Sequence, residues 1–327
     1  MRIAVAGSIA TDHLTSFPGR FTDHLLADRL DTVSLSFLVD ELEVRRGGVA
    51  ANISFGLAVL GFTPVLVGAA GTDFADHDAW LREHGVDTRS VRVSRTRHTA
   101  RFMCTTDADQ NQIAVFYAGA MAEAADIALP AVTTRTGGLD LVVVAPDDPA
   151  AMLRHTAESR ELGIPRVADP SQQLARVDVG EARRLVDGAQ LLFTNEYEAA
   201  LLQDRTGWTE RQVLDRVGSW ITTRGPAGLT VRTAGIPAVA VPAVPTDHVI
   251  DPTGAGDAVR AGYLAGLGRG LTPERSAQLG CALASTVLET VGTQEYKLVP
   301  AEFTSRVADA YGAATAEEIR TRVIGGP

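Results

Sequence analysis

The heptapeptide DPTGAGD, residues 251–257, follows an apolar segment at 238–244 and precedes a segment with helical spacing at 258–267. Its small residues let successive backbone N–H groups approach an anion closely. The dipole of the following helix adds partial positive charge at the same place. The stretch therefore predicts an anion-binding loop at the N-terminus of a helix.

Outward from this loop, short apolar runs alternate with longer segments of helical spacing. The runs lie at 3–6, 65–68, 141–145, 191–194 and 229–232. The helical segments lie at 49–60, 79–84, 151–162, 209–221, 258–267 and 273–288. Apolar runs of this length are typical of strands that are buried on both faces. We predict an α/β fold with a mainly parallel sheet between layers of helices.

Two stretches, 33–46 and 99–117, interrupt the alternation with shorter, strand-like patterning and a polar turn at 107–111. We expect them to form a separate small sheet, an antiparallel flap over the strand ends where α/β proteins bind ligands. Patterning alone does not show that the two stretches pair. The expected organisation is one domain over 1–327, with lid segments at about 12–47 and 98–117.

Composition excludes several classes of protein. The 327 residues carry a net charge of −10, which repels nucleic acid. Cys104 and Cys281 have no CxxC spacing, so neither a disulfide framework nor a thiolate metal site is indicated. No apolar run approaches the roughly 20 residues of a membrane span, and the first residues lack the pattern of a signal peptide. We expect a cytoplasmic protein without a membrane or nucleic-acid partner.

Asp257 is the candidate catalytic residue at the end of the loop. A carboxylate beside a bound phosphate can accept a hydroxyl proton as that oxygen attacks. Gly254, Ala255 and Gly256 present the N–H groups that stabilise a transferring phosphoryl charge. The alternative is a glycine-rich turn in which Asp257 caps the helix.

A second glycine pair, Gly47-Gly48, precedes the helix that begins near Val49, with Asn52 in its first turn. Asp12 is expected in the loop after the first strand. Together these groups suit a vicinal diol such as a ribose, because the aspartate accepts hydrogen bonds and the asparagine both donates and accepts. The alternative is a plain turn followed by an asparagine on the helix surface.

Two further loops complete the pattern. Asn195 and Glu198, at the start of a helix, form a potential capping box, or order Mg²⁺ through its water molecules. Thr223, Gly225 and Gly228 lie in a glycine-punctuated turn that suits a nucleotide phosphate or an ordinary connection. Independent loops rarely present this order and spacing by chance.

These motifs resemble the ribokinase-like (PfkB) carbohydrate kinases along nearly the whole chain. The residues that carry the resemblance are GGVAAN at 47–52, NEYE at 195–198 and DPTGAGDA at 251–258. The resemblance implies a large α/β domain with a small β lid, ATP with Mg²⁺, an anion hole over 253–256 and Asp257 as base. It implies that the nucleotide contacts Asn195, Thr223, Gly225, Gly228, Thr253, Gly254 and Gly256, and that Glu198 holds Mg²⁺ through water.

Within that family, five blocks are most similar to the adenosine kinases of actinobacterial type. They are GSIATDHL (7–14), SLSFLVD (34–40), HTARF (98–102), DPSQQLAR (169–176) and GTQE (292–295). The resemblance implies ribose contacts by Asp12, Gly48 and Asn52. It places the other substrate contacts at Ser8, Ser36, Phe102, Phe116, Gln172, Gln173 and Arg176.

The residue types agree with a purine. Phe102 and Phe116 fall in the expected lid, where they can stack on a base, and Gln172 and Gln173 offer donors and acceptors to its edge. A sugar kinase needs no aromatic clamp. The alternative is that these phenylalanines fill a core under the lid.

One departure from the family pattern is Pro252, where threonine is more usual. Proline lacks an N–H and fixes φ just before the anion hole. This bears on a third cofactor that the resemblance allows, a monovalent cation such as K⁺ near Asp251 and Thr253. A homodimer through the lid is also expected, because an exposed sheet presents edge strands that another subunit can cover.

The leading hypothesis is an adenosine kinase of purine salvage, which transfers phosphate from ATP to the 5′-hydroxyl and gives AMP and ADP. Another sugar or nucleoside kinase of the family, acting on ribose, inosine or guanosine, is the first alternative. A nucleoside-binding protein without catalysis is the second. A nicotinamide-dependent oxidoreductase ranks last, because GSIATD supplies only Gly7 of the glycine fingerprint.

Overall fold

The computed structural model describes residues 1–25, 30–32, 34–246 and 248–325. Its strands are β1 Ile3–Ala6, β2 Ala10–Ser16, β3 Leu42–Gly47, β4 Val65–Ala70, β5 Asp87–Val93, β6 Ala100–Thr106, β7 Gln112–Tyr117, β8 Leu141–Val144, β9 Arg166–Ala168, β10 Leu191–Asn195, β11 Ser219–Thr223, β12 Leu229–Thr233 and β13 Ile236–Val241. Its helices are α1 Val49–Val59, α2 Ala75–Glu83, α3 Leu129–Thr136, α4 Pro149–Glu161, α5 Val179–Val186, α6 Glu196–Thr206, α7 Glu210–Leu214, α8 Ala255–Gly268, α9 Pro273–Leu288, α10 Pro300–Tyr311 and α11 Ala313–Ile319.

Nine strands form the main sheet in the order β13-β12-β11-β10-β9-β8-β1-β4-β5. All neighbouring pairs from β11 to β5 are parallel, whereas β12 and β13 add an antiparallel edge. The predicted α/β fold with a mainly parallel sheet is confirmed. Because parallel strands share their direction, the segments that follow β1, β8, β9, β10 and β11 meet at one edge of the sheet.

Each face of the main sheet packs on its own apolar core. Ile3 and Val5 of β1 point into one core, and the alternate residues Ala4 and Ala6 point into the other. This explains why the central strands are continuous apolar runs rather than alternating patterns. No helix in the described part of the chain is long and apolar enough to cross a membrane.

Helices α8 and α9 pack closely on one face of the sheet, and this contact positions the first turn of α8. A Cβ atom at Gly262 would lie 2.6 Å from the Cα atom of Gly280. A Cβ atom at Gly280 would lie 2.7 Å from the carbonyl oxygen of Val259. The two helices therefore approach at a distance that only glycine allows.

The four-stranded small sheet has the order β3-β2-β6-β7 and joins the two stretches that were expected to form a lid. The outer pairs, β2 with β3 and β6 with β7, are antiparallel as expected. The central pair, β2 with β6, is parallel, so the expectation of a wholly antiparallel flap is wrong. The reason is that β2 and β6 come from separate inserts. Val33, the first residue of one predicted stretch, lies outside the described residues.

Two local predictions fail. The helix expected at 209–221 ends at Leu214, and Ser219–Thr223 is the buried strand β11. Its apolar residues have a spacing that also fits a helix, but pairing with β10 and β12 decides the conformation. Asp12 lies within strand β2 rather than in a loop, because residues 10–15 pair with both β3 and β6.

We expect Gly262→Ala to destabilise the protein by about 1–3 kcal/mol, because the added methyl group would push α8 away from α9. Thermal unfolding would show this as a loss of a few degrees in Tm. Gly180→Ala is the matched control, since Gly180 lies at an exposed position of α5. Equal Tm values for the two variants would contradict the proposed close contact.

Candidate active site

The DPTGAGD loop is held by the side chain of its first residue. Asp251 accepts hydrogen bonds from the N–H of Thr253 at 2.9 Å and of Gly292 at 3.2 Å. Its carboxylate also forms an ion pair with Arg45 of β3, with 2.9 Å between Oδ2 and Nη1. These contacts lower the pKa of Asp251 against the opposing effect of its partial burial, which is the largest single influence. Asp251 therefore fixes the loop rather than facing a ligand with a free carboxylate.

The backbone after Asp251 forms the candidate anion hole. Gly254 has a φ of 78°, and a Cβ atom there would lie 2.8 Å from Cγ2 of Thr293. Ala258 is the first residue of α8 whose N–H donates to the carbonyl oxygen four residues earlier, which is Gly254 O at 2.9 Å. The N–H groups of Gly254, Gly256 and Asp257 precede it and have no acceptor within the helix. The Thr253 N–H bonds to Asp251 and the Ala255 N–H to Pro252 O, so an anion hole at the loop predicted over 253–256 would use the N–H groups of Gly254, Gly256 and Asp257.

Asp257 lies in the first turn of α8 and is partly buried. Burial raises its pKa to about 6, while Arg260 and the hydrogen bond from Asn52 act in the opposite direction. Asn52 Nδ2 donates to Asp257 Oδ2 at 2.8 Å. A carboxylate with a pKa near 6 is ionised at neutral pH and is a stronger base than an ordinary aspartate. Asp257 can therefore accept a proton from a hydroxyl group.

Asn52 is buried in the first turn of α1, so the alternative that it lies on the helix surface is wrong. Its Oδ1 atom accepts a hydrogen bond from Gln294 Nε2 at 2.9 Å and lies 2.8 Å from Thr293 Oγ1. The side chain therefore links the two glycine-rich loops. The ribose contact that the resemblance implies for Asn52 stays a prediction.

Asp12 of β2 lies next to Gly47, the last residue of β3, and to the turn at Gly48. A Cβ atom at Gly47 would lie 3.0 Å from Asp12 Oδ2, and one at Gly48, where φ is 94°, would lie 2.6 Å from Ser8 O. Burial raises the pKa of Asp12 to about 6, with a further contribution from Asp251. Ser8 Oγ accepts from the N–H of Val49 at 3.1 Å and so caps α1.

The two lid phenylalanines share a face of the small sheet with Asp12. Phe102 pairs with Asp12 across β2–β6 and with Phe116 across β6–β7, and residues directly opposite each other point the same way. The side chain of Phe116 is 48% exposed, so it does not fill a core. Stacking of these rings on a base stays a prediction.

The remaining substrate candidates differ in burial. Gln173 is buried in a 3₁₀ turn at Ser171–Ala175, and its Oε1 atom has no hydrogen-bond partner among the described residues. Gln172 and Arg176 are exposed beside it. Ser36 is exposed in the segment before β3, and none of the described contacts brings it to the other candidates. Their roles stay predictions.

A buried ion pair joins two parts of the site, and sequence reasoning missed it. Arg260 binds Asp169 with two hydrogen bonds, one of 2.7 Å between Nη2 and Oδ1. Arg260 lies one helical turn after Asp257, and Asp169 directly precedes the turn that carries Gln172 and Gln173. Asp169 lies in the block at 169–176, and Arg260 lies two positions after the block at 251–258. The two residues are 91 positions apart, and the sequence contains no pattern that indicates their contact.

A cavity of 720 Å³ adjoins the candidate anion hole, and no lid candidate is among the described residues that line it. Four of the predicted nucleotide-binding residues line it, namely Thr223, Gly225, Gly228 and Gly256. The apolar part of its wall, including Val249, Val259, Cys281 and Leu288, was not predicted. A Cβ atom at Gly228, where φ is 87°, would lie 2.1 Å from Val241 O, so this turn requires glycine. The size and apolar lining suit an adenine nucleotide.

The capping box predicted at Asn195 is confirmed. Asn195 Oδ1 accepts from the N–H of Glu198 at 2.7 Å, and Glu198 Oε2 accepts from the N–H of Asn195 at 2.8 Å. Ser171 Oγ lies 2.9 Å from Glu198 Oε1. Glu198 keeps unused lone pairs beyond these bonds. Within the described ranges, no three metal-ligating side chains lie close enough to bind an ion directly.

The chain is similar in fold to solved structures of kinases. The nucleoside kinase of Burkholderia thailandensis in complex with inosine has a TM-score of 0.83 and 34% identity, over 95% of this chain and 98% of that chain. The same enzyme in complex with ADP-inosine has a TM-score of 0.81. A nucleoside kinase of Methanothermobacter thermautotrophicus is 30% identical over 274 residues, which are 82% of this chain and 86% of that protein.

The family itself is identified over most of the sequence. Residues 19–300 match the family described as pfkB family carbohydrate kinase. The match includes both glycine-rich loops and the lid strands β3, β6 and β7. The ribokinase-like fold, the two loops and this match agree, and the chain belongs to the pfkB family of carbohydrate kinases.

Proposed function

We propose that this protein is a nucleoside kinase that transfers the γ-phosphoryl group of ATP to the 5′-hydroxyl of adenosine, giving AMP and ADP. The observation that carries the proposal is the position of Asp257 at the head of α8, where it follows Gly256 in the wall of the 720 Å³ cavity and interacts electrostatically with Asp12 of the small sheet. ATP would occupy the cavity, and the nucleoside would lie beneath the small sheet. The proposed role is salvage of purine nucleosides in the cytoplasm.

In the proposed reaction, Asp257 accepts the proton of the 5′-hydroxyl as that oxygen attacks the γ-phosphorus. The bond between the γ-phosphorus and the bridging oxygen breaks, and ADP leaves. The N–H groups of Gly254, Gly256 and Asp257 would stabilise the negative charge that develops on the transferred group, and Ala255 closes the turn by donating its N–H to Pro252 O at 3.4 Å. Asp12 and Asn52 would bind the ribose hydroxyls, and Phe102 and Phe116 would cover the base.

Mg²⁺ bound to the ATP phosphates would neutralise part of their charge. Glu198 fits this ion as a ligand of its water shell, because its carboxylate keeps unused lone pairs beyond the capping box. A monovalent cation fits less well. Its predicted ligand Asp251 already accepts from Thr253, Gly292 and Arg45, so we propose that Arg45 supplies the positive charge there.

The choice of nucleobase is the most specific part of the proposal. The relatives described above are nucleoside kinases, and one of them is solved with inosine. The free Oε1 atom of the buried Gln173 is an acceptor that suits the amino group of adenine. Rotation of the same amide would suit the keto group of inosine, which makes inosine the second candidate. A nucleoside-binding protein without catalysis is disfavoured, because Asp257 has the position and the raised pKa of a general base.

A panel of acceptors assayed for ADP release tests the substrate class. We expect kcat/KM for adenosine to exceed that for inosine and guanosine. All three values should exceed those for ribose and fructose 6-phosphate by at least about 10-fold, because only a nucleobase contacts the lid. Faster turnover of ribose than of any nucleoside would contradict the assignment to nucleosides. Calorimetric binding of adenosine without ADP formation would contradict the assignment as an enzyme.

Asp257→Asn should lower kcat about 100-fold or more, because it removes the general base. The same change should leave Tm at pH 7.5 equal or higher. The pKa of Asp257 in the folded protein, about 6, exceeds the ordinary value of 3.8. The proton bound to Asp257 therefore stabilises the folded protein at low pH, and this stabilisation is lost as the pH rises through about 6. Asp178→Asn, at the N-cap of α5, is the control and should keep activity. A kcat near wild type for Asp257→Asn would disprove its role as base.

We also propose a homodimer that forms through the outer face of the small sheet. Val44, Met103 and Val115 lie side by side on that face, since His13 of β2 pairs with both Val44 and Met103, and Met103 pairs with Val115. All three apolar side chains are exposed, as are Leu42 and Ile113 beside them. A contiguous apolar sheet face of this kind is typical of a subunit interface.

Val115→Lys should therefore convert a dimer into a monomer, measured as mass by light scattering after gel filtration. A charge at the centre of an apolar interface is not compensated there. Phe116→Lys is the matched control, because the neighbouring residue points to the opposite face of the sheet. A wild-type monomer, or a Val115→Lys dimer, would show that this face is not the interface.

A further inference from the structure

A line of buried polar side chains leads from α2 to the candidate base. His77 of α2 is 5% exposed, and its Nε2 atom lies 3.0 Å from Gln294 Oε1. Gln294 is fully buried, and its Nε2 atom donates to Asn52 Oδ1 at 2.9 Å. Asn52 Nδ2 donates in turn to Asp257 Oδ2 at 2.8 Å. Three consecutive hydrogen bonds therefore connect His77 to Asp257.

Chemistry fixes the direction of this chain. An ionised carboxylate only accepts, so Asn52 must turn its NH₂ group towards Asp257 and its Oδ1 atom towards Gln294. Gln294 must then present its NH₂ group to Asn52 and its Oε1 atom to the imidazole. The imidazole must carry its proton on Nε2. His77 Nδ1, which has no partner among the described residues, is then a bare lone pair rather than a buried donor.

The other neighbour of Asn52 does not fix its orientation. Thr293 Oγ1 lies 2.8 Å from Asn52 Oδ1 and 3.0 Å from the carbonyl oxygen of Arg46. Its single hydroxyl proton serves one of these two acceptors at a time. Gln294 is therefore the neighbour that, together with Asp257 itself, holds the Asn52 amide in this orientation.

His77 keeps its role across the working pH range. Burial lowers the pKa of His77 to about 4. The hydrogen bond to Gln294 opposes this as the next largest influence, followed by a decrease from Arg46 and an increase from Asp78. The imidazole therefore stays neutral at neutral pH, with its single proton on Nε2. The charged groups that act on Asp257 at the other end are Arg260, Asp169 and Asp12. Tyr296, whose pKa is raised mainly by burial, also senses Asp257.

We propose that His77 and Gln294 are positioning residues that hold Asn52, and through it Asp257, in the orientation that accepts a substrate proton. The proposal rests on the proposed role of Asp257 as base. Without the imidazole donor, the buried Oε1 atom of Gln294 has no partner, and Gln294 is held less firmly. Asn52 then loses a fixed neighbour, and its NH₂ group is no longer held at 2.8 Å from the carboxylate.

His77→Leu tests the proposal. We expect kcat to fall about 10-fold, with the KM for ATP within about 2-fold, because the nucleotide cavity is not touched. The acid limb of the kcat profile should move upward by about one pH unit, since loss of a donor to the carboxylate raises its pKa. His77→Gln should retain kcat within about 3-fold, because a glutamine amide can place a donor near the position of imidazole Nε2.

His155→Leu is the matched control. His155 is also a buried histidine, on α4, and its Nε2 atom lies 3.1 Å from the carbonyl oxygen of Ile127. This variant should lose similar stability in thermal unfolding while kcat and its pH profile stay unchanged. Equal kcat values for His77→Leu and His155→Leu would overturn the proposal. If His77→Leu does not fold, Gln294→Met removes the next bond of the chain and should give the same decrease in kcat and the same pH shift.

The experiment separates this proposal from the proposed function. If wild type phosphorylates nucleosides and Asp257→Asn is inactive, unchanged kinetics in His77→Leu and Gln294→Met overturn the positioning role alone. If wild type has no kinase activity, the proposed function fails, and a crystal structure of His77→Leu still decides the orientation. Loss of the 2.8 Å contact between Asn52 and Asp257 in that structure would support the chain of hydrogen bonds, and its retention would overturn it.

Discussion

The hydrogen bond from Asn52 to Asp257 is the contact on which the rest of the site depends. It joins the first turn of α1 to the first turn of α8, although 205 positions separate the two residues. Each helix reaches this point through a glycine that no other residue can replace. A Cβ atom at Gly48 would lie 2.6 Å from Ser8 O, and Gly254 has a left-handed φ of 78° beside Thr293. The two motifs are therefore one structural unit, in which each loop fixes the orientation of the other.

This unit holds charges where water is largely excluded, and that has opposing effects on stability and chemistry. Burial raises the pKa of both Asp12 and Asp257 to about 6, so each is held as an anion at neutral pH against the preference of its surroundings. The Arg260–Asp169 pair is also buried, and such pairs contribute little net stability after desolvation. The apolar contact of α8 with α9 offsets this. The apolar core stabilises α8, whose first turn carries the unfavourably placed charge of Asp257.

Sequence predicted those features that depend on local pattern. Central strands buried on both faces appear as apolar runs, and glycine-rich loops before helices have a recognisable composition, so the main sheet and both loops were found. β11 was mistaken for a helix because Trp220 and Ile221 continue a spacing that fits either structure, and only pairing with β10 and β12 decides. The Arg260–Asp169 pair and the bond of His77 to Gln294 join residues 91 and 217 positions apart. A single sequence contains no signal that such residues meet.

The small sheet shows how register determines function. Along its strands, side chains alternate between a face with Asp12, Phe102 and Phe116 and a face with apolar residues. A shift of one residue would exchange the two faces and turn the proposed substrate contacts outward. The C-terminal end of β3 resists such a shift, because Arg45 forms an ion pair with Asp251 and Arg46 forms one with Glu295. The loop that holds the candidate anion hole thus also anchors the end of β3, so the proposed nucleotide and nucleoside sites are linked through one strand.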